Sequence, residues 1–221
     1  ELRGLAALGT DTAAFRARLA AQVDLRAPSR AELTTAFDAL YSELAPPLSG
    51  VMAERILQAR AAGQDDFRID YQWCEFESFG PYLPLAAVAS EDQRFLDHHG
   101  FDTVEIKKAL DAAEDGERLR GASTISQQVA KNLFLWSGRS WVRKGLEVWF
   151  TALLELSWPK RRLLETYLNI AETGDGMFGF CAACQRRFGK PCNALAPYQL
   201  ALMVATLPDP RRRQRPQIRT G

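Results

Sequence analysis

The sequence predicts a mainly α-helical domain, and three observations carry that expectation. Apolar residues recur at steps of three and four in several windows, the helical period. Ser, Pro and Gly fall where helices begin and end. Only Tyr71 to Phe79 alternates well enough to be extended. The 221 residues are 47% hydrophobic, enough for a real core and against a disordered chain. A net charge of +1 gives no global attraction to nucleic acid, so anion binding must come from local clusters.

Taken in order, residues 1–45 read as two Ala-, Leu- and Arg-rich helices, an N-terminal segment of unassigned role. The second starts at the capping-box pattern Ser29 to Glu32 after Pro28 and ends before Pro46-Pro47. Residues 46–210 form the main domain. Leu48 to Arg60 is a short helix, followed by a polar loop and the extended Tyr71 to Phe79 stretch. Pro81 and Pro84 lead into a helix whose capping box is Ser90 with Gln93. Glu91 and Asp92 fill its first turn, His98 and His99 its last, and Gly100 its left-handed C-cap. Local helix chemistry alone accounts for all of these.

The segment from Gly121 to Glu147 is richer. Gly121 suits a tight turn and Ser123 an N-cap, so a helix starts there. Ile125, Val129, Leu133 and Trp136 make one buried stripe, with Gln127 and Lys131 on another face. After Ser137-Gly138, Arg139, Arg143 and Glu147 line one side of a second helix, and Val142, Leu146, Trp149 and Phe150 supply its apolar side. A helix N-terminus beside Lys131, Arg139, Arg143 and Lys144 suits a phosphate or diphosphate, because free amides and cations both favour negative charge.

Beyond Leu156, Pro159 breaks the helix, Lys160 to Ile170 is again amphipathic, and Gly174, Gly176 and Gly179 loosen the next loop. Cys181 to Arg187 and Pro197 to Leu207 close the helical series, about nine helices in all. Residues 211–221 are a basic tail, suited to solvent or lipid headgroups rather than nucleic acid. Cys181, Cys184 and Cys192 have no neighbouring His, which argues against zinc. A Cys184–Cys192 disulfide fits an oxidising compartment. The chain begins at Glu1 and has no apolar run of about 18 residues, so it is either soluble or trimmed of an upstream anchor.

In order and spacing, SEDQRFLDHHGF (90–101), GASTISQQVAKNLF (121–134), RKGLE (143–147), LLETYLNIAETGDGMFG (163–179) and RRFGK (186–190) closely resemble the motifs of glycosyltransferase family 51, the peptidoglycan glycosyltransferases. The resemblance is clear from Tyr71 to Pro210, and it is greatest to the monofunctional biosynthetic form, without a transpeptidase domain. It implies a lysozyme-like helical fold with a head lobe and a membrane-facing jaw, here roughly residues 102–150. Phe134, Leu135, Trp136 and Trp141 would suit a bilayer interface. It also implies a setting at the bacterial inner membrane, on the periplasmic face, with an N-terminal anchor ahead of this region.

The implied reaction polymerises lipid II: an acceptor 4-hydroxyl attacks the anomeric carbon of a growing strand, and undecaprenyl diphosphate leaves. A sugar hydroxyl is a weak nucleophile, so a carboxylate must take its proton; Glu91 matches the family's catalytic glutamate. Lys131, Arg139 and Arg143, with Lys144 beside them, match positions facing the diphosphate. Ser123, Gln127 and Gln128 match positions that hydrogen-bond the donor, and Glu147 matches the second essential acid. Asp92, Phe95, His99, Gly121, Thr124, Asn132, Glu165, Tyr167 and Asn169 support the site. No cofactor is required by the sequence; Mg or Mn at the diphosphate is compatible with it, although no ligand motif marks a metal. Partners are lipid II, the growing strand, the membrane surface and other cell-wall synthesis and division proteins. Moenomycin, which mimics the donor strand in this family, is expected to inhibit.

Three departures from the family pattern stand out: Ala122, Ser126 and Arg187 replace the commoner Gly, Thr and an aromatic. Two rival readings are a muramidase using Glu91 as general acid with Glu147 as second carboxylate, and a non-catalytic scaffold that has kept the fold.

Overall fold

A computed structural model of the chain describes residues 48–114, 123–138, 140–205 and 207. These lie in one compact unit, Pro47–Gly221. The expected helices of residues 1–45, the basic tail, Gly121, Ala122 and Arg139 fall outside the described residues.

The described part is mainly helical, as the sequence predicts. Its helices are α1 (Gly50–Ala61), α2 (Tyr82–Glu91), α3 (Thr103–Glu114), α4 (Ile125–Phe134), α5 (Trp141–Ser157), α6 (Lys160–Ile170), α7 (Phe180–Phe188) and α8 (Pro197–Val204). A small sheet of β1 (Asp70–Tyr71), β2 (Glu172–Gly174) and β3 (Met177–Phe178) joins them in the order β1-β3-β2. β1 runs parallel to β3, pairing Asp70 with Met177, and β2 runs antiparallel to it. Tyr71 to Phe79 is therefore extended only at its start; Phe76–Phe79 is a 3-10 turn.

Helix α4 sits at the centre, packed on α1, α5 and α6. Ile125, Val129 and Leu133 are buried as the spacing predicts, but Trp136 lies past the helix end and is exposed. Helix α6 departs further from expectation. Only its first turn meets solvent, and every residue from Leu163 to Ile170 is buried, the mark of a helix enclosed on all sides. Its polar residues in that run must therefore find partners inside the protein.

The start of α4 corrects the expected cap. Thr124, not Ser123, is the N-cap: its hydroxyl accepts from the Gln127 amide while Gln127 Oε1 accepts from the Thr124 amide, a closed capping box. Thr124 also donates to the Gly100 carbonyl at 2.6 Å. Ser123 is exposed one residue upstream.

The helix expected after Ser90 is also corrected. Helix α2 begins earlier and ends at Glu91, with Asp92 as its C-cap, and residues 93–100 form turns. Gly100 does take φ +88°, and a Cβ there would lie 2.8 Å from Thr151 Cγ2.

Two disulfides cross-link the lower part of the chain, Cys184–Cys192 as the sequence suggests and Cys74–Cys181, which it does not.

Candidate functional site

The end of α2 delivers Glu91 to the face of α4. Gln128, one turn into α4, donates from Nε2 to Glu91 Oε2 at 3.1 Å. The contact is held from below by the next residue: buried Asp92 accepts the Ile125 amide at 3.0 Å and the His98 Nε2 hydrogen at 2.9 Å. Helix α2 is thus anchored to the N-terminus of α4 through a carboxylate, which the amides there favour.

His98 is the histidine that matters to this anchor, whereas the expected His99 is exposed. On a continuous helix positions 91, 95 and 99 share a face. Because the helix stops at Glu91, that register breaks and residue 98 turns inward. Phe95 is buried beside His98, with Lys160 Nζ 4.5 Å from its ring centre.

One turn beyond Gln128, Lys131 and Asn132 line a pocket of about 180 Å³ together with Gln128, Tyr167 and Glu172. Desolvation holds the Lys131 ammonium below the ordinary lysine range; Arg143 and Lys144 push the same way, while Glu147 opposes them. Burial, and then the Glu91 charge, push the Tyr167 phenol well above its usual range. Two lining residues, Gln128 and Tyr167, thus interact with Glu91, and a third, Lys131, with the cationic group.

That cationic group is organised by Glu147. It is 3% exposed and takes Arg143 on one oxygen at 2.7 Å and Lys144 on the other. Arg143 also donates from Nε to the Gly138 carbonyl, and Ser140 caps α5 by accepting the Arg143 amide. On the apolar side expected for α5, Val142 and Trp149 are 73% and 62% exposed, and Trp141 at its start is 93% exposed.

The remaining predicted residues shape the surroundings. Glu165 Oε1 accepts the Phe76 amide at 2.8 Å and Oε2 pairs with Arg162. Asn169 bonds both the amide and the carbonyl of Cys74. Together they pin the 74–76 segment to α6. Gln127 Oε1 is committed to the Thr124 cap.

Besides His98, sequence reading gave no site role to four residues, Ser126, Glu155, Arg187 and Glu172. Ser126 donates to Glu155, which also takes Lys160 at 2.7 Å; Arg187, where an aromatic is commoner, donates to the Thr173 carbonyl. Glu172 is the fourth. A polar side chain in a run otherwise apolar was the available signal at Glu155.

Asp92, His98 and Asp102 are the three-residue group among the described residues spaced to hold a metal ion. Both Asp92 oxygens already serve His98 or Ile125, and Asp102 Oδ1 caps α3 through the Val104 and Glu105 amides. Among the described residues no helix is long and apolar enough to cross a membrane.

Residues 59–219 match the family model described as Transglycosylase. The chain is 54% identical over 167 residues to a biosynthetic peptidoglycan transglycosylase of Xanthomonas campestris pv. campestris strain B100, covering 76% of this chain and 68% of that protein. It is 58% identical over 167 residues to one from Xylella fastidiosa strain 9a5c, covering 76% and 69%. By these matches the chain belongs to the transglycosylase family, the peptidoglycan glycosyltransferases of family 51 that its motifs resemble.

Proposed function

We propose that the chain polymerises lipid II into β-1,4-linked glycan strands with release of undecaprenyl diphosphate. The single observation that carries this reading is the placement of Gln128 and Lys131 one turn apart on α4, the first bonded to Glu91 and the second within the field of Arg143, Lys144 and Glu147. Both residues line one pocket, which links a proton acceptor to a bed of cations.

In the proposed step Glu91 takes the proton of the acceptor 4-hydroxyl as the oxygen attacks the anomeric carbon. The bond to the diphosphate breaks with its electron pair, and the charge gained on that group is met by Lys131, Arg143 and Lys144. Arg139 joins them on the motif match. One displacement inverts the α-linked donor to a β product, with no covalent sugar–enzyme intermediate. Glu147 positions the cations. Ser123, Gln127 and Gln128 bind the donor, and Mg or Mn on the diphosphate would add to the same charge neutralisation.

A muramidase would need Glu147 as a second working carboxylate, yet it is ion-paired to two cations that a hydrolase has no use for. The exposed Trp141, Val142 and Trp149 support a jaw near residues 102–150 that rests on the outer face of the inner membrane. Two disulfides agree with an oxidising, extracytoplasmic setting. Other cell-wall synthesis and division proteins are the proposed partners. Incubation of purified chain with lipid II tests the proposal: strand growth is expected, and shortening of finished peptidoglycan without strand growth would support the hydrolase.

A further inference from the structure

Glu172 stands at the first position of β2, just past the end of α6, and lines the same pocket as Gln128, Lys131, Asn132 and Tyr167. Its side chain is 13% exposed and ion-paired to Arg55 of α1, whose Nε lies 3.3 Å from Oε1. Arg55 is itself fixed by Asp175 and by the face of Phe67, 5.4 Å from the ring centre. The carboxylate is thus paired with a residue that does not line the pocket, which favours one orientation before any ligand arrives. The same pocket is lined by the amide-bearing Gln128 and Asn132, the phenol-bearing Tyr167 and Lys131, with Val51, Ala171 and Leu207 as its apolar part. Many hydrogen-bonding groups around a small apolar edge match a pyranose ring, which presents hydroxyls at its rim and C–H groups on its faces.

We propose that Glu172, oriented by Arg55, is a specificity residue that accepts hydrogen bonds from the hydroxyls of one pyranose ring of the glycan substrate. This rests on the polymerase reading above. The ring belongs either to the donor strand or to the acceptor, and the two sources share the same chemistry. No proton is moved at Glu172 and no bond is broken there; its part is binding and discrimination.

The test is steady-state polymerisation by wild type, Glu172→Ala, Glu172→Gln and Arg55→Met, with lipid II varied at fixed primer strand and then the primer strand varied at fixed lipid II. Glu172→Ala is expected to raise one of the two KM values about tenfold or more, the loss of hydrogen bonds to a charged acceptor, while kcat stays near wild type. Glu172→Gln, which keeps an accepting carbonyl, recovers part of the loss. Arg55→Met, which leaves the carboxylate in the pocket, shifts the same KM less than Glu172→Ala. A rise confined to lipid II assigns the ring to the acceptor; a rise confined to the primer, with weaker moenomycin binding, assigns it to the donor strand. Unmoved KM values in a polymerising wild type and its variants overturn this proposal alone, as does Arg55→Met matching Glu172→Ala in both KM and melting temperature. A wild type that builds no strand overturns this proposal and the polymerase reading together.

Discussion

Gln128 Nε2 donates to Glu91 Oε2 at 3.1 Å, joining the last residue of α2 to the first turns of α4. The bond orients the carboxylate and leaves its other oxygen unused by Gln128. Lys131 follows on the same helix three residues later, so one stretch of backbone sets the spacing between the residue that holds the base and the cation.

Lys131 gives a pH signature with two opposite signs. Its ammonium is held below the ordinary lysine range by desolvation and then by Arg143 and Lys144. Diphosphate departure needs the charged form, so activity is expected to fall on the alkaline side earlier than an ordinary lysine would allow. Stability moves the other way. A depressed lysine costs stability fully below its folded pKa, and the cost is relieved as pH rises toward the unfolded value. A kcat/KM profile beside thermal melts over the same alkaline window checks both signs. Lys131→Arg should move the activity limb to higher pH, and Lys131→Ala should cut turnover severely at every pH.

Glu147→Gln should lower turnover and loosen the cation row together. The side chain is buried and holds Arg143 and Lys144, so its loss leaves two cations facing each other and Lys131. Because Lys144 is 40% exposed and solvent screens part of the repulsion, roughly 1–3 kcal/mol of stability is expected to go. Denaturant melts read the stability. Moenomycin binding at low and high salt reads the cations, and salt should matter more in the variant, because the cations have lost their counter-charge.

Gly100→Ala is expected to destabilise by about 1–3 kcal/mol, because the backbone takes φ +88° and a Cβ would press on Thr151 and Glu155 at 2.8 and 3.1 Å. The Gly100 carbonyl also receives the Thr124 hydroxyl, so the N-terminus of α4 should shift with it. Urea melts give the first number, and amide exchange at Ile125 and Gln127 reports the second.

Much of this was readable in the amino acids. The α4 stripe Ile125, Val129 and Leu133, the α6 boundaries at Pro159 and Ile170, and the Arg143–Glu147 pair all follow from local spacing. What was not readable depends on tertiary neighbours. Ser123 and Thr124 are both fair caps, and the choice went to Thr124 because its hydroxyl also reaches Gly100. The stop at Glu91 is invisible locally, since Asp92 leaves the helix to bind His98 and the amide of Ile125, which is distant in sequence. Val142 and Trp149 were legible as an apolar side but not as an outward one, because periodicity marks an apolar side without saying what it meets. Glu172 drew no notice because its partner Arg55 lies over a hundred positions away.

The central claim is that Glu91 removes the acceptor proton while Lys131 and its neighbours receive the diphosphate. The most direct measurement is polymerisation of purified lipid II by wild type and Glu91→Gln side by side, with moenomycin binding and thermal melting as controls for an intact site. The account predicts strand growth by the wild type and none by Glu91→Gln, with binding and melting essentially retained. Strand growth by Glu91→Gln at a rate close to wild type would contradict it.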